Sequence, residues 1–247
     1  MTAYTEVDSK AKTYVNKVLI PRLLARTADD GTSDVIVLDG PAMCTSTALV
    51  AHAGIASHRV HVVEQDEQTV VHMQRQLRAA RSARPTGPVG RVNVHRDDVF
   101  RRLASYAASG RRRVRAMILD LMQCSVTPEQ QHVVADAARA CGTEFVTLTL
   151  TVRSQGRLPE RLADLQRGPI GRIFRGTAYA YGYQRMPGKS VNMCWIAMQR
   201  KRCETRYRPR VIGKTPNEHG KLRVQWYGWP DREDHTYEWP KRVMHVT

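Results

Sequence analysis

The chain is poor in features that would class it quickly. Its five cysteines, Cys44, Cys124, Cys141, Cys194 and Cys203, are odd in number and form no Cys-x-x-Cys pair. That spacing argues against a disulfide frame and against a zinc site, and points to a reducing, intracellular compartment. No window approaches ~18 uninterrupted apolar residues, and the first residues, MTAYTEVDSKAKTYVNKV, lack the apolar centre of a signal peptide, so a soluble protein is expected. Aromatics make up only 6% of the residues, and three of the four tryptophans lie beyond Cys203. Neither GxGxxG nor GxxxxGK[ST] occurs. The chain therefore has no run of bare backbone amides of the kind that cradles a pyrophosphate or triphosphate. Acid is also in deficit: 39 Lys+Arg against 23 Asp+Glu leaves a formal charge of +16 over 247 residues. Such an excess suits a polyanion such as DNA, RNA or a nucleosome-like particle; a general arginine bias of the coding sequence is the competing explanation.

What is present is organised around Val35–Glu64. Val35–Leu38 and Val60–Val63 are short β-branched runs, separated by the turn Asp39-Gly40-Pro41 and a helix opening at Thr45-Ser46-Thr47. Continuous apolar strands need both faces covered, so the unit reads as parallel βαβ. Ligands of such sheets sit beyond the carboxyl ends of the strands, where Asp39 and Glu64 fall. Glu64 lies 25 positions after Asp39, near the ~20-residue step from a glycine turn to a ribose-binding acid. An adenosine ligand without phosphate fits this pattern. An ordinary strand-turn-helix with no ligand is the alternative.

The stretch resembles motif I and the following acidic motif of class I S-adenosylmethionine-dependent methyltransferases. It departs from them in having Pro41-Ala42-Met43-Cys44 after the single Gly40, where the family has further glycines. The resemblance implies S-adenosylmethionine as cofactor and a Rossmann-like, mostly parallel sheet with an antiparallel closing hairpin. Asp39, Gly40, Pro41 and Glu64 would then be cofactor-binding residues. After the short strand Arg91–His95, the pair Asp98-Val99 matches the family's adenine-binding acid and apolar residue; Asp97 or Asp98 capping the next helix is the other reading. The fourth strand, Ala116–Leu119, ends at Asp120, which the resemblance places beside the methyl acceptor as the catalytic candidate. Neither two prolines nor an aromatic follows it, which disfavours base N-methylation of the kind that uses such a motif. Thr127-Pro128 opens a helix closed at Cys141-Gly142, Glu144–Val152 reads as the fifth strand, and 177–184 with 190–198 read as the hairpin.

Flanking segments divide the chain into a helical cover (1–34), the α/β domain (35–202) and a small β module (203–247). Pro21 is expected to kink or split the cover. The densest basic cluster, Arg111-Arg112-Arg113 with Arg115, is either a solvated turn or a phosphate contact. LRVQWYGWPDREDHTYEWP in the last module resembles a chromodomain, an all-β, SH3-like element. That resemblance implies a methyl-lysine cage of Tyr207, Trp226 and Trp229 bordered by Glu233; the competing reading makes these aromatics the core of an appendage of roughly 44 residues. From Glu204 onward there are 9 Lys+Arg and 6 Asp+Glu, so +13 of the +16 belongs to the rest of the chain. Two functions follow as expectations. One is a methyltransferase brought to chromatin or another nucleoprotein, in the nucleus or at a viral replication site, with a protein side chain or nucleic-acid group as acceptor. The other is an inactive scaffold of that fold acting as a methyl-lysine reader or nucleic-acid-binding protein.

Overall fold

Strand β1 (Asp34–Leu38) is flanked on both faces by apolar side chains, and Val35, Ile36 and Val37 have no solvent exposure. The computed structural model describes residues 10–25, 27, 31–83, 90–110, 112–121, 123–152, 158–175, 178–184 and 192–200. Around β1 lie β2 (Val60–Glu64), β3 (Asn93–Arg96), β4 (Val114–Asp120), β5 (Phe145–Val152), β6 (Ala178–Gln184) and β7 (Asn192–Gln199). They form one sheet in the order β3-β2-β1-β4-β5-β7-β6. The first five strands run parallel, and β7 pairs antiparallel with both β5 and β6, as expected for the closing hairpin.

Alternation along each strand feeds two separate cores, making three layers. One core joins Val35, Val37, Val62 and Ile118 to α3 (Cys44–His52) and α4 (Glu67–Ala83), together with the N-terminal helices. The other joins Ile36, Val63, Met117 and Leu148 to α5 (Val99–Ser109), α6 (Pro128–Cys141) and the pair α7 (Leu158–Arg167) and α8 (Pro169–Ile173). The start of α6 is the expected one: Thr127 and Gln130 form a reciprocal capping box ahead of Pro128. At its other end, Gly142 (φ +68°) makes the left-handed turn that releases the chain into β5.

The helical cover is interrupted as Pro21 suggested. It runs as α1 (Lys10–Tyr14), a π-helical turn (Val15–Leu19) and α2 (Ile20–Ala25), with Pro21 in the first turn of α2. A proline there removes one amide from the ladder, and the wider π turn absorbs the misfit. The turn is also a docking point, because Asn16 is buried and its Oδ1 accepts from Thr45 Oγ1 of α3 at 3.4 Å.

The basic cluster before β4 is more structural than its composition suggested. The strand begins at Val114, so Arg115 lies inside it, 6% exposed. Arg115 donates to Thr27 O at 2.9 Å and also to Leu24 O and Thr27 Oγ1, tying the end of α2 to the sheet. Arg112 reaches Asp34 Oδ2 at 3.2 Å and lies over the Tyr106 ring. Helix α8 was not foreseen. The proposed β module at 203–247, with Tyr207, Trp226, Trp229 and Glu233, lies outside the described residues.

Candidate functional site

In this strand order the chain leaves β1 in one direction towards β2 and β3, then returns to its other side as β4. The β1/β4 boundary is therefore a topological switch point, where an open α/β sheet leaves a crevice at its carboxyl edge. Register brings acids to that edge in a row. Val37 pairs with Val62 and Leu38 with Leu119, so Asp39, Glu64 and Asp120 end neighbouring strands at the same height. Glu64 in turn pairs with Arg96, and Asp97 and Asp98 follow directly.

Asp39 is 3% exposed, and its carboxylate turns inward to shape the loop. Oδ1 accepts from the Gly40 amide at 3.0 Å and the Thr45 amide at 3.3 Å, while Oδ2 accepts from the Ser46 amide and hydroxyl, both at 2.7 Å. The amino end of α3 is thus already filled by a carboxylate of the protein itself. An incoming phosphate would find those amides taken and a negative charge beside them. Gly40-Pro41-Ala42-Met43 is a turn closed by Met43 N–H to Gly40 O at 2.9 Å, with proline at its second position. Met43 then takes φ +51°, the one positive φ of a non-glycine among the described residues. A β-carbon costs about 1–2 kcal/mol there. The side chain, 3% exposed, packs into the core with Leu49 and Tyr14.

Glu64 is half-buried; Oε1 accepts from the Asp66 amide at 2.8 Å, and Oε2 has no partner among the described residues. Asp98 caps α5, accepting from the Arg101 amide at 2.9 Å, so the capping role weighed from the sequence is realised. Val99, 6% exposed, belongs to the core beneath α5. Asp97 holds Arg101 Nε at 2.6 Å.

Sequence reasoning missed Lys12. Its Nζ, on α1, donates to Asp120 Oδ2 at 2.8 Å, with both side chains less than one-fifth exposed. Asp120 Oδ1 is buried and has no hydrogen-bond partner among the described residues. A buried carboxylate oxygen left so is costly, and a ligand N–H or O–H directed at it would satisfy it. The two residues are 108 positions apart, and only the helical pattern of the cover hinted that anything from it reaches this edge.

Also unforeseen is a polar chain across the face under α5. Arg102 Nη2 lies 3.1 Å from His95 Nδ1, His95 Nε2 lies 2.9 Å from His61 Nδ1, and His61 Nε2 lies 3.3 Å from Asp34 Oδ2. A guanidinium only donates, so the direction of every proton follows: Arg102 to His95 to His61 to Asp34, with both rings neutral. The rings lie edge to edge in nearly one plane, with centroids 5.2 Å apart and a 7° tilt. Burial, then the charge of Arg102, then His61 and Arg112, push His95 down to about 4.

No protein-family model matches the chain, and no curated protein matches it. Solved structures do resemble it. A probable spermidine synthase from Corynebacterium glutamicum shares 15% identity over 76% of this chain and 63% of that one, with a TM-score of 0.52. The spermidine synthase of Thermotoga maritima shares 12% over 76% and 58%, with a TM-score of 0.47. The Methanococcus jannaschii fibrillarin pre-rRNA processing protein shares 15% over 76% and 77%, with a TM-score of 0.43. The chain spans less than two thirds of the two synthase structures. At these identities the likeness is one of fold, and the fold is the Rossmann-like α/β sheet anticipated from the sequence.

Proposed function

We propose that the carboxyl edge of this sheet binds S-adenosylmethionine and that the protein is a methyltransferase. The observation that carries this reading is the row of acids at the switch point, combined with an α3 amino end that Asp39 already fills. A row of carboxylates attracts a cation and repels phosphate, and S-adenosylmethionine is an adenosine compound with a sulfonium and no phosphate. Glu64, whose Oε2 has no protein partner among the described residues, would accept from the ribose hydroxyls. Asp98 and Val99 would border the adenine, and the Asp39-Gly40-Pro41 turn would support the remainder. When bound, the cofactor supplies an electrophilic methyl group. Asp120 Oδ1 would orient an acceptor N–H or O–H, and Lys12 would hold the carboxylate in place through Oδ2. Positioning of this kind, without a dedicated base, supplies much of the rate in a direct displacement.

The acceptor in this reading is a protein side chain or a nucleic-acid group. The aromatic-rich segment 203–247 would bring the enzyme to chromatin or another nucleoprotein by holding a methylated lysine between Tyr207, Trp226 and Trp229, with Glu233 at the border. Titration calorimetry with S-adenosylmethionine tests the core of the proposal. Wild type should release heat, Glu64→Ala should weaken binding about tenfold or more, and Asp120→Asn should bind cofactor while losing methyl transfer to protein or RNA fractions. An absence of heat for the wild type refutes it. The scaffold reading would then take its place, favoured by Met43 standing buried and left-handed where the family has glycine.

A further inference from the structure

Five exposed arginines of the described surface are held by a neighbouring acid. Arg139 pairs with Asp136, Arg167 with Asp164, Arg101 with Asp97, Arg96 with Glu67 and Arg112 with Asp34. One region differs. Between Glu67 and Asp97 the chain has no acidic residue and six arginines. Within it α4 buries Val70, Met73 and Leu77, which sets its inner face against β2 and β3. At 100° per residue Arg75 then points away from the core and Arg78 to the side, and both are exposed. At the end of the helix the Arg81 guanidinium bonds Gly90 O at 2.7 Å, which draws the exposed Arg91 to the same end. None of Arg75, Arg78, Arg81 and Arg91 has a carboxylate partner among the described residues. β3 is the edge strand, and among the described residues no further strand flanks this side of the sheet.

We propose that this flank, Arg75, Arg78 and Arg81 of α4 with Arg91, is a docking strip for the phosphodiester backbone of a nucleic acid. The guanidinium fork matches phosphate oxygens in pairs, which a point charge does not. From Arg75 to Arg81 the helix rises roughly 9 Å, an axial span covering about two to three successive phosphates of one strand. A membrane surface fits less well, because Val71 is the one large apolar side chain exposed on the described surface. The helix opens at Glu67, three residues beyond Glu64, and runs away from the acids; Arg91 precedes β3, so the strip lies toward the amino edge of the sheet. Phosphates would lie along the strip and be kept out of the acidic crevice.

The test is fluorescence anisotropy of the full chain with a short labelled single-stranded RNA and, separately, a DNA duplex across a potassium chloride series, without S-adenosylmethionine. The triple variant Arg75→Gln, Arg78→Gln, Arg91→Gln should bind about tenfold or more weakly at low salt. Its slope of log K against log salt should be shallower by about 2 for RNA or nearly 3 for the duplex. The control triple Arg139→Gln, Arg167→Gln, Arg172→Gln should keep the wild-type slope. An unchanged slope in the first triple overturns the proposal, as does equal loss in both triples, which would mean diffuse attraction. Competition by poly-glutamate as effective as by unlabelled RNA would assign the strip to an acidic protein and also overturn it. Because no cofactor is present, each of these failures leaves the methyltransferase reading untouched.

Discussion

Acidification should unlock the polar chain under α5, and His95 is where the lock sits. In the folded protein His95 Nδ1 accepts from Arg102, with Arg112 also close enough to oppose a positive charge on the ring. A proton arriving at Nδ1 would set two cations against each other and remove the acceptor from the chain Arg102–His95–His61–Asp34. The unfolded chain takes that proton at the ordinary value near 6.5, whereas the folded protein resists it until about 4. The sign follows from linkage: between those values the unfolded state binds more protons, so stability is complete above about pH 6.5 and falls as pH drops towards about 4. A difference of that size corresponds to at most about 3 kcal/mol. His95 is only half-buried, so water screens part of it and ~1–2 kcal/mol is expected. The matched variant is His95→Gln, whose amide can still donate to His61 Nδ1 but does not titrate. Urea unfolding of both proteins at about pH 7 and about pH 4.5 gives the comparison. Wild type should lose ~1–2 kcal/mol more than the variant over that interval. Carboxylates elsewhere act equally on both proteins and cancel. Parallel stability curves would refute the reasoning and leave the histidine pair a passive contact.

Two further outcomes follow from the geometry. Gly171→Ala should destabilise by about 2 kcal/mol or more, because a Cβ there would meet the Gln166 carbonyl oxygen at 2.0 Å and the backbone of α7 and α8 must move; a melting temperature within a degree or two of wild type would contradict the close approach. Asp39→Ala should cost about 2–4 kcal/mol, since it strands the buried amides of Thr45 and Ser46, and Asp39→Asn should recover part of it; a change below about 0.5 kcal/mol in chemical denaturation would mean the loop is held by other contacts.

Local chemistry made much of this protein legible in its sequence. The β-branched runs at Val35–Leu38 and Val60–Val63, the Thr127-Pro128 start of α6 and the glycine stop at Gly142 each act within a few residues, and each lies where the pattern placed it. The same holds for the strand ends that carry Asp39, Glu64 and Asp120, because a strand's length is written in its own apolar run. What those acids face was not legible. Asp39 turns to the amides of α3, Asp98 caps α5, and Asp120 meets Lys12 from a helix 108 positions away. The arginines show the same division. Composition supplied the excess, but tertiary packing buried Arg115 against the end of α2, paired Arg112 with Asp34, and left Arg75, Arg78 and Arg81 of α4 without a carboxylate among the described residues. A charge's role depends on which neighbours displace its water, and those neighbours are chosen by the order in which distant strands pair.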